Sequence, residues 1–222
     1  MGRQEKVKKL LHKYKHIWVF SYGLIYLPWF YYLEQHVTSN YHVIHSSLDN
    51  KIPFIEYFII PYLLWFAFMF AVVFYFFFTD TVGFYRLCTL LITGMTIFLI
   101  ISTFFPNGLA IRPTTFEREN IFVDMVRALY KADTPTNVLP SIHVYNTLGA
   151  CIAISHSEAF KKHTLVTWGS YILSVLIILA TMFLKQHSVI DVMSAFVMAY
   201  TVYQFVYVPE AKKQPKLSRM PI

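Results

Sequence analysis

Long uncharged stretches, separated by charged residues, make up the hydropathy pattern of this 222-residue chain. A charge at the centre of a bilayer is costly, so a charged residue marks the boundary of a possible membrane span. Five uncharged runs are read as transmembrane helices: Ile17 to Leu33, Tyr57 to Thr79, Leu87 to Ile111, Thr164 to Leu184, and Val192 to Pro209. A sixth, shorter and more polar run extends from about Ile142 to Ser157. The pattern predicts an all-α polytopic membrane protein, a bundle of six transmembrane helices.

The longest connection, Pro106 to Pro140, joins spans three and four. Within it, Thr114 and Glu117 have the spacing of a capping box. Apolar residues then recur at helical spacing from Phe122 to Tyr130. We therefore expect an interfacial helix over the outer mouth of the bundle. No repeat or linker divides the chain, which predicts one domain over residues 1–222 with a cytoplasmic basic arm, 1–16, and a cytoplasmic tail, 210–222.

Composition supports this reading, because 56% of the residues are hydrophobic and only 14% are charged. A soluble domain carries more charge, and a disordered chain has fewer aromatic residues. Thirteen of the 19 Lys and Arg residues fall in the arm, the tail and the loops predicted on the same side. This bias predicts a plasma-membrane protein with both termini in the cytoplasm. Topology then explains the net charge of +7, so no nucleic-acid partner is expected. Cys88 and Cys151 lie in apolar runs and indicate no disulfide framework.

Three polar segments fall at the predicted outer ends of spans: Arg112-Pro113, Pro140 to His143, and Lys185 to Asp191. Ionisable residues at membrane depth indicate function. His187 and Asp191 are four residues apart, so the carboxylate is expected to orient the imidazole as a nucleophile or base. Ser141 is at the expected N-cap of the fourth span, where backbone N–H groups favour an anion.

The remaining residues of these segments fit a phosphate site. His143 is placed to donate a proton to a leaving oxygen. Arg112 and Lys185 add two cations around the same point. Two histidines, two cations and a helix N-terminus therefore predict that one pocket at the outer face binds a phosphate group.

This set of residues resembles the type-2 phosphatidic acid phosphatase superfamily, the lipid phosphate phosphatases. The resemblance implies a phosphohistidine mechanism with His187 as nucleophile, Asp191 as its orienting group and His143 as acid. It also implies phosphate-binding positions at Arg112, Ser141 and Ile142, to which the charge argument adds Lys185. It implies neither a metal ion nor a cofactor.

The sequence departs from the family pattern at four positions. The lysine of the first motif is Phe105, the glycine of the second is Ile142, and the Ser-Arg of the third is Ala180-Thr181. The variant looks more like the branch of inositol phosphorylceramide synthase and sphingomyelin synthase relatives, which pass a phospho-headgroup to an alcohol. We expect metal-independent hydrolysis of a lipid phosphate or pyrophosphate at the outer membrane face, with headgroup transfer as the alternative.

Two further alternatives come from other classes of protein. His143, His187 and Asp191 would suffice as zinc or iron ligands, although Arg112 and Lys185 would repel a cation. A transporter or channel would place its polar residues along a path through the membrane. Here they cluster at one face, which favours an enzyme. The expected partners are a lipid phosphate substrate and membrane lipids, and the substrate's identity and the oligomeric state stay open.

Overall fold

The computed structural model describes residues 4–5 and 12–208, which are mostly helical. The predicted tail, 210–222, and the arm residues 1–3 and 6–11 lie outside the described residues. The α-helices are α1 Gly23–His36, α2 Ile59–Thr79, α3 Thr81–Phe104, α4 Ile121–Ala132, α5 Ile142–Ser155, α6 Glu158–Lys161, α7 Thr164–Phe183 and α8 Val189–Val206. Two 3-10 helices, Lys15–Tyr22 and Glu56–Phe58, precede α1 and α2. The parallel strands β1 His42–Val43 and β2 Asn107–Gly108 are an addition to the predicted all-α fold.

Four helical segments of the described chain are long and apolar enough to cross a membrane: Glu56–Thr79, Thr81–Phe104, Thr164–Phe183 and Val189–Val206. They correspond to predicted spans two, three, five and six. The predicted fourth span is helix α5, which has only 14 residues. The predicted first span is divided between a 3-10 helix and α1, which is also 14 residues long and contains Pro28. Six spans thus remain a prediction.

The predicted boundaries of the third span were wrong. Helix α3 begins six residues earlier, because Asp80 caps it by accepting a hydrogen bond from the Gly83 amide at 2.9 Å. Arg86 therefore lies within the second turn of the helix and not in a loop. The helix ends at Phe104, because Phe105 precedes Pro106 and a residue directly before a proline disfavours helical geometry. Residues 105–111 consequently belong to the loop region that surrounds the site.

The connection between α3 and α5 contains the predicted helix, but the predicted capping box was wrong. Helix α4 begins at Ile121, where the Asn120 side chain accepts hydrogen bonds from the amides of Phe122 and Val123. Its apolar face buries Val126 completely, and the Tyr130 hydroxyl donates to the Leu184 carbonyl at 2.7 Å. Helix α4 therefore packs on the turn between α7 and α8. Its place at an outer membrane surface is still a prediction.

Helix α5 is at the centre of the bundle, in contact with α2, α3, α7 and α8. The Tyr145 ring of α5 packs directly against Gly94 of α3, where an added Cβ would overlap the ring. The Tyr145 ring is fully buried, and its hydroxyl donates to the Leu90 carbonyl at 2.8 Å. This packing fixes the depth and rotation of α5 and therefore the position of its first residues.

A hydrogen-bonded group of loops covers the end of the bundle at which α5 begins. Buried Asn107 accepts hydrogen bonds from the amides of Val138 and Leu139, both at 2.9 Å, and donates to the Phe105 carbonyl at 2.8 Å. Strand β2 also pairs with β1 and bridges to Thr136. These bonds hold residues 134–141 over the N-terminus of α5.

Candidate functional site

One cavity of about 370 Å³ lies at this end of the bundle, and both predicted catalytic histidines line it. His143 projects from the first turn of α5, and His187 precedes the first turn of α8. Their ring centroids are 5.8 Å apart. The aromatic rings of Tyr62 and Trp65 contact the ring of His143, with centroids at 4.8 and 4.5 Å. The fold therefore brings together two histidines that are 44 residues apart in the sequence.

Asp191 lies in the first turn of α8, whereas His187 lies just before the Ser188 N-cap and outside the helix, so their proximity does not come from the shared helix face that the spacing predicted. The Nδ1 atom of His187 lies 3.5 Å from Oδ2 of Asp191, and Nδ1 has no hydrogen-bond partner among the described residues. Oδ2 also accepts from the Ser188 amide at 2.8 Å, which completes a capping box. Asp191 is fully buried and His187 is 8% exposed. The carboxylate is thus fixed by the helix start beside one ring nitrogen of His187.

The Pro-Ser-Ile-His segment provides structure as well as cavity lining. Ser141 is the N-cap of α5, where its hydroxyl oxygen accepts from the Val144 amide at 3.4 Å. The Ser141 amide donates to the Asp191 carbonyl at 3.2 Å, so the segment contacts the first turn of α8. Ile142 and His143 line the cavity, whereas Ser141 is fully buried behind them.

Arg112 lies beside the cavity and not in its wall. Its guanidinium donates to the Asp133 carbonyl at 2.7 Å, to the Thr134 carbonyl at 3.1 Å and to the Gln186 side-chain oxygen. The group also lies over the Tyr130 ring, 4.7 Å from its centroid. Burial lowers the pKa of Arg112, and the Asp133 carboxylate opposes that effect. Most of the hydrogen-bonding capacity of Arg112 therefore holds the loop around residue 133 and the segment before His187.

Lys185, predicted as a second phosphate-binding cation, lies elsewhere. Its backbone has a φ of 54°, and its ammonium donates to the carbonyls of Asp49 and Ile52. It is not among the residues that line the cavity. Burial lowers the pKa of Lys185, an effect that the nearby Asp49 opposes. The tight turn that was expected to swing this side chain over the site instead directs it into the loop that precedes α2.

Four carboxylate or amide side chains of the cavity wall had not been assigned roles: Glu34, Asp133, Asn137 and Gln186. Gln186 is adjacent to His187 in the sequence, but the other three come from the end of α1 and from the loop after α4. Burial raises the pKa of Asp133, although Arg112 and His187 oppose this effect. A sequence signal for these residues was weak, because polar residues in long loops are common.

The positions of the missing family residues are also informative. Phe105, in place of the family's lysine, stacks on His42 with ring centroids 4.5 Å apart. Thr181, in place of the arginine, is fully buried, and its carbonyl accepts from the amides of Gln186 and His187. Neither residue lines the cavity, so no side chain at these two positions adds charge to it.

Metal ligation was the competing interpretation of the histidines. In the chain from residue 12 to 208 and at residues 4–5, no three His, Cys, Asp or Glu side chains form a group that could hold a metal ion. His143, His187 and Asp191 therefore do not form the ligand set that was considered.

Comparisons with known proteins bear on this cavity. Curated proteins and solved structures gave no significant match. The sequence model of the PAP2 superfamily matches residues 107–214, a segment that includes His143, His187 and Asp191. That superfamily consists of phosphatases and related phosphotransferases, which supports an enzyme. It is also the family that the three polar segments resembled, and residues 107–214 of this chain match its sequence model.

Proposed function

We propose that this protein is a membrane enzyme that cleaves the phosphoester or pyrophosphate bond of a lipid without a metal ion. The observation that carries the proposal is the pair His143 and His187, which face one cavity at a centroid distance of 5.8 Å. Asp191, in the first turn of α8, lies beside His187. Together with the PAP2 match, this arrangement supports phosphoryl chemistry between two histidines.

The proposed reaction has two steps at these histidines. In the first, Nε2 of His187 attacks phosphorus, a P–N bond forms, the P–O bond to the lipid breaks, and His143 gives its proton to the leaving oxygen. In the second, His143 takes a proton from water, the resulting hydroxide attacks phosphorus, and the P–N bond breaks to release inorganic phosphate, or the phosphate monoester of the headgroup when the substrate is a phosphodiester. Asp191 fixes the ring of His187 and balances the charge that the ring gains.

The test is turnover by the purified protein with phosphatidate, phosphatidylglycerophosphate, a prenyl pyrophosphate and a sphingolipid phosphate. Inorganic phosphate and lipid products are both measured. We expect His187→Ala to remove activity by several orders of magnitude and His143→Ala to reduce it by roughly 10²- to 10⁴-fold. His156→Ala is the matched control, because His156 is an exposed histidine at the other end of α5. Activity in His187→Ala equal to that of the control would exclude the mechanism.

Additional arms of the same assay separate the alternatives. Vanadate should inhibit and chelators should not, whereas loss of activity with a chelator and its recovery with zinc would indicate metal catalysis. A new phospholipid formed in the presence of diacylglycerol or ceramide would establish headgroup transfer in place of hydrolysis. Substrate flux into liposomes without any turnover would support a transporter.

The proposal includes the sidedness expected from the basic residues, with the site outside the plasma membrane and both termini in the cytoplasm. Asn50 and Lys162 are exposed and lie on opposite sides in this topology. In a background without Cys88 and Cys151, an impermeant thiol reagent should label Asn50→Cys in intact cells and Lys162→Cys only after lysis. The opposite result would invert the topology.

A further inference from the structure

The charge of the cavity wall is opposite to that of a simple phosphate pocket. Two of the lining residues, Glu34 and Asp133, are acids, and none of the lining residues is a lysine or arginine. The Arg112 guanidinium lies beside this wall, and its Nη2 is 3.9 Å from Oδ2 of Asp133. One guanidinium against two carboxylates leaves this part of the cavity with net negative charge.

The Glu34 carboxylate is fixed but not neutralised by its contacts. It accepts hydrogen bonds from the Thr134 hydroxyl at 2.5 Å and from the Asn137 side-chain amide at 2.8 Å. Both donors are neutral, so they orient the carboxylate without cancelling its charge. Asp133 lines the same cavity as His187 and interacts electrostatically with both Glu34 and His187.

An unused hydrogen-bond acceptor lies in the same wall. Oδ1 of Asn137 has no hydrogen-bond partner in the part of the chain that the structure describes, although this residue is only 6% exposed and lines the cavity. The orientation of the amide is fixed, because turning it over would place its oxygen against the Glu34 carboxylate. A buried acceptor without a partner is unfavourable, and a donor on a bound ligand would satisfy it.

Aromatic rings complete the lining near this wall. Tyr26 and Phe30 follow the same face of α1 as Glu34, and their rings stack with centroids 5.8 Å apart. Trp65 also lines the cavity. Aromatic faces attract a cation, whereas the acids would repel a phosphate dianion placed against them. The wall therefore suits a positively charged group that also carries N–H donors.

We propose that Glu34, Asp133 and Asn137 form a subsite for the protonated primary amine of a substrate headgroup. The inference rests on the proposed function, because it requires the phosphate of the same headgroup to bind at His187. A zwitterionic headgroup such as an aminoethyl phosphate ester satisfies both ends: its phosphate lies toward His187 and His143, and its ammonium contacts Glu34 and the Asn137 oxygen. The subsite also explains why two acids lie in a site for a phosphate compound.

The experiment compares three small probes that differ at one group. These are 2-aminoethyl phosphate, 2-hydroxyethyl phosphate and propyl phosphate, in which NH3+ is replaced by OH or CH3. Binding to the purified full-length protein is measured by calorimetry and by thermal stabilisation, so the result does not depend on turnover. An ammonium held by a carboxylate should bind roughly 10-fold or more tightly than its methyl counterpart, with the hydroxyl probe between them.

Two variants locate the effect. Glu34→Gln keeps the shape of the side chain and should remove most of the preference for the amine while leaving affinity for propyl phosphate unchanged. Glu119→Gln is the control, because Glu119 is exposed and pairs with Arg127 on α4. Equal affinity for the amino and methyl probes would overturn the proposal. So would a Glu34→Gln variant that weakens all three probes equally, since that result indicates a structural role.

A parallel turnover assay separates this proposal from the function on which it rests. Phosphatidylethanolamine and phosphatidylpropanol are supplied under identical conditions. Cleavage of both with equal kcat/KM would refute the amine subsite and leave phosphoester chemistry in place. Amine-selective binding without cleavage of any lipid would refute the proposed function and leave the subsite in place.

Discussion

Asp49 provides the sharpest test of how the start of α8 is held. Its carboxylate accepts hydrogen bonds from the Ser188 hydroxyl at 2.6 Å, the Val189 amide at 2.9 Å and the Ser46 amide at 2.7 Å. Its carbonyl also accepts from the Lys185 ammonium at 2.7 Å. The residue is 2% exposed. One side chain therefore joins the loop before α2 to the helix start that follows His187.

The magnitude follows from these contacts. A hydrogen bond to a charged group contributes about 1.5–3 kcal/mol, and three bonds to one carboxylate are not additive. We therefore expect Asp49→Ala to destabilise the protein by about 3–5 kcal/mol. At roughly 2–4 °C per kcal/mol for a chain of this size, the midpoint of thermal unfolding should fall by about 6–20 °C. Asp49→Asn keeps one acceptor oxygen and should fall by about half as much.

The assay is thermal unfolding of the purified protein with one detergent and one lipid composition throughout. Asp124→Ala is the control, because its side chain is 68% exposed and forms a surface ion pair with Arg127 at 3.1 Å. Exposed pairs contribute about 0–1 kcal/mol, so the control should shift by a few degrees at most. If Asp49→Ala unfolds at the same temperature as the control, Asp49 does not hold the start of α8.

Three further predictions concern packing, charge and Lys185. Gly94→Ala should destabilise the protein by about 1–3 kcal/mol, because the new Cβ meets the Tyr145 ring. Gly169 has open space around it, so Gly169→Ala should be neutral or should stabilise the protein by up to about 1 kcal/mol. The midpoints of thermal unfolding of the two variants provide the comparison. Burial raises the pKa of the Asp133 carboxyl group in the folded state above its usual value near 4. As the pH rises from 4, the unfolded state therefore loses the carboxyl proton before the folded state does, and the free energy of unfolding falls until the pH has passed the folded-state pKa. The unfolding midpoint of Asp133→Asn should therefore rise relative to that of the unmodified protein between pH 4 and pH 7, and a constant difference would contradict the argument. Lys185→Ala should lower the unfolding midpoint but keep turnover at low temperature within a few-fold, with Lys51→Ala as control; a 10²-fold loss of turnover would restore a direct role at the phosphate.

Helical periodicity and short motifs predicted the parts of the site that are local in sequence. The four-residue spacing of His187 and Asp191 predicted their proximity, although His187 lies just before α8 and only Asp191 lies in the helix, and Ser141 caps α5 as its position after Pro140 suggested. The family match supports the chemistry that these segments indicated. Two of the three polar segments line one cavity, through His143 and His187, and Arg112 of the third lies beside it.

The acidic wall could not be predicted in the same way. Glu34 lies in the last turn of α1, and Asn137 lies 103 residues later in a loop with no periodic pattern. Only the packing of three loops around Asn107 brings them together, and hydropathy carries no information about such packing. For Arg112 and Lys185, the sequence predicted two cations at the phosphate. It gave no information about the backbone carbonyl groups that accept hydrogen bonds from these side chains and hold them outside the cavity wall.

The central helix α5 is shorter than the helices around it. It has 14 residues and is about 21 Å long, whereas its neighbour α7 has 20 residues and is about 30 Å long. Helix α5 packs against α2, α3, α7 and α8, and these contacts hold it in the bundle. Under the proposed function, the phosphate of a lipid would therefore have to reach the first turn of a helix that is too short to cross a bilayer by itself.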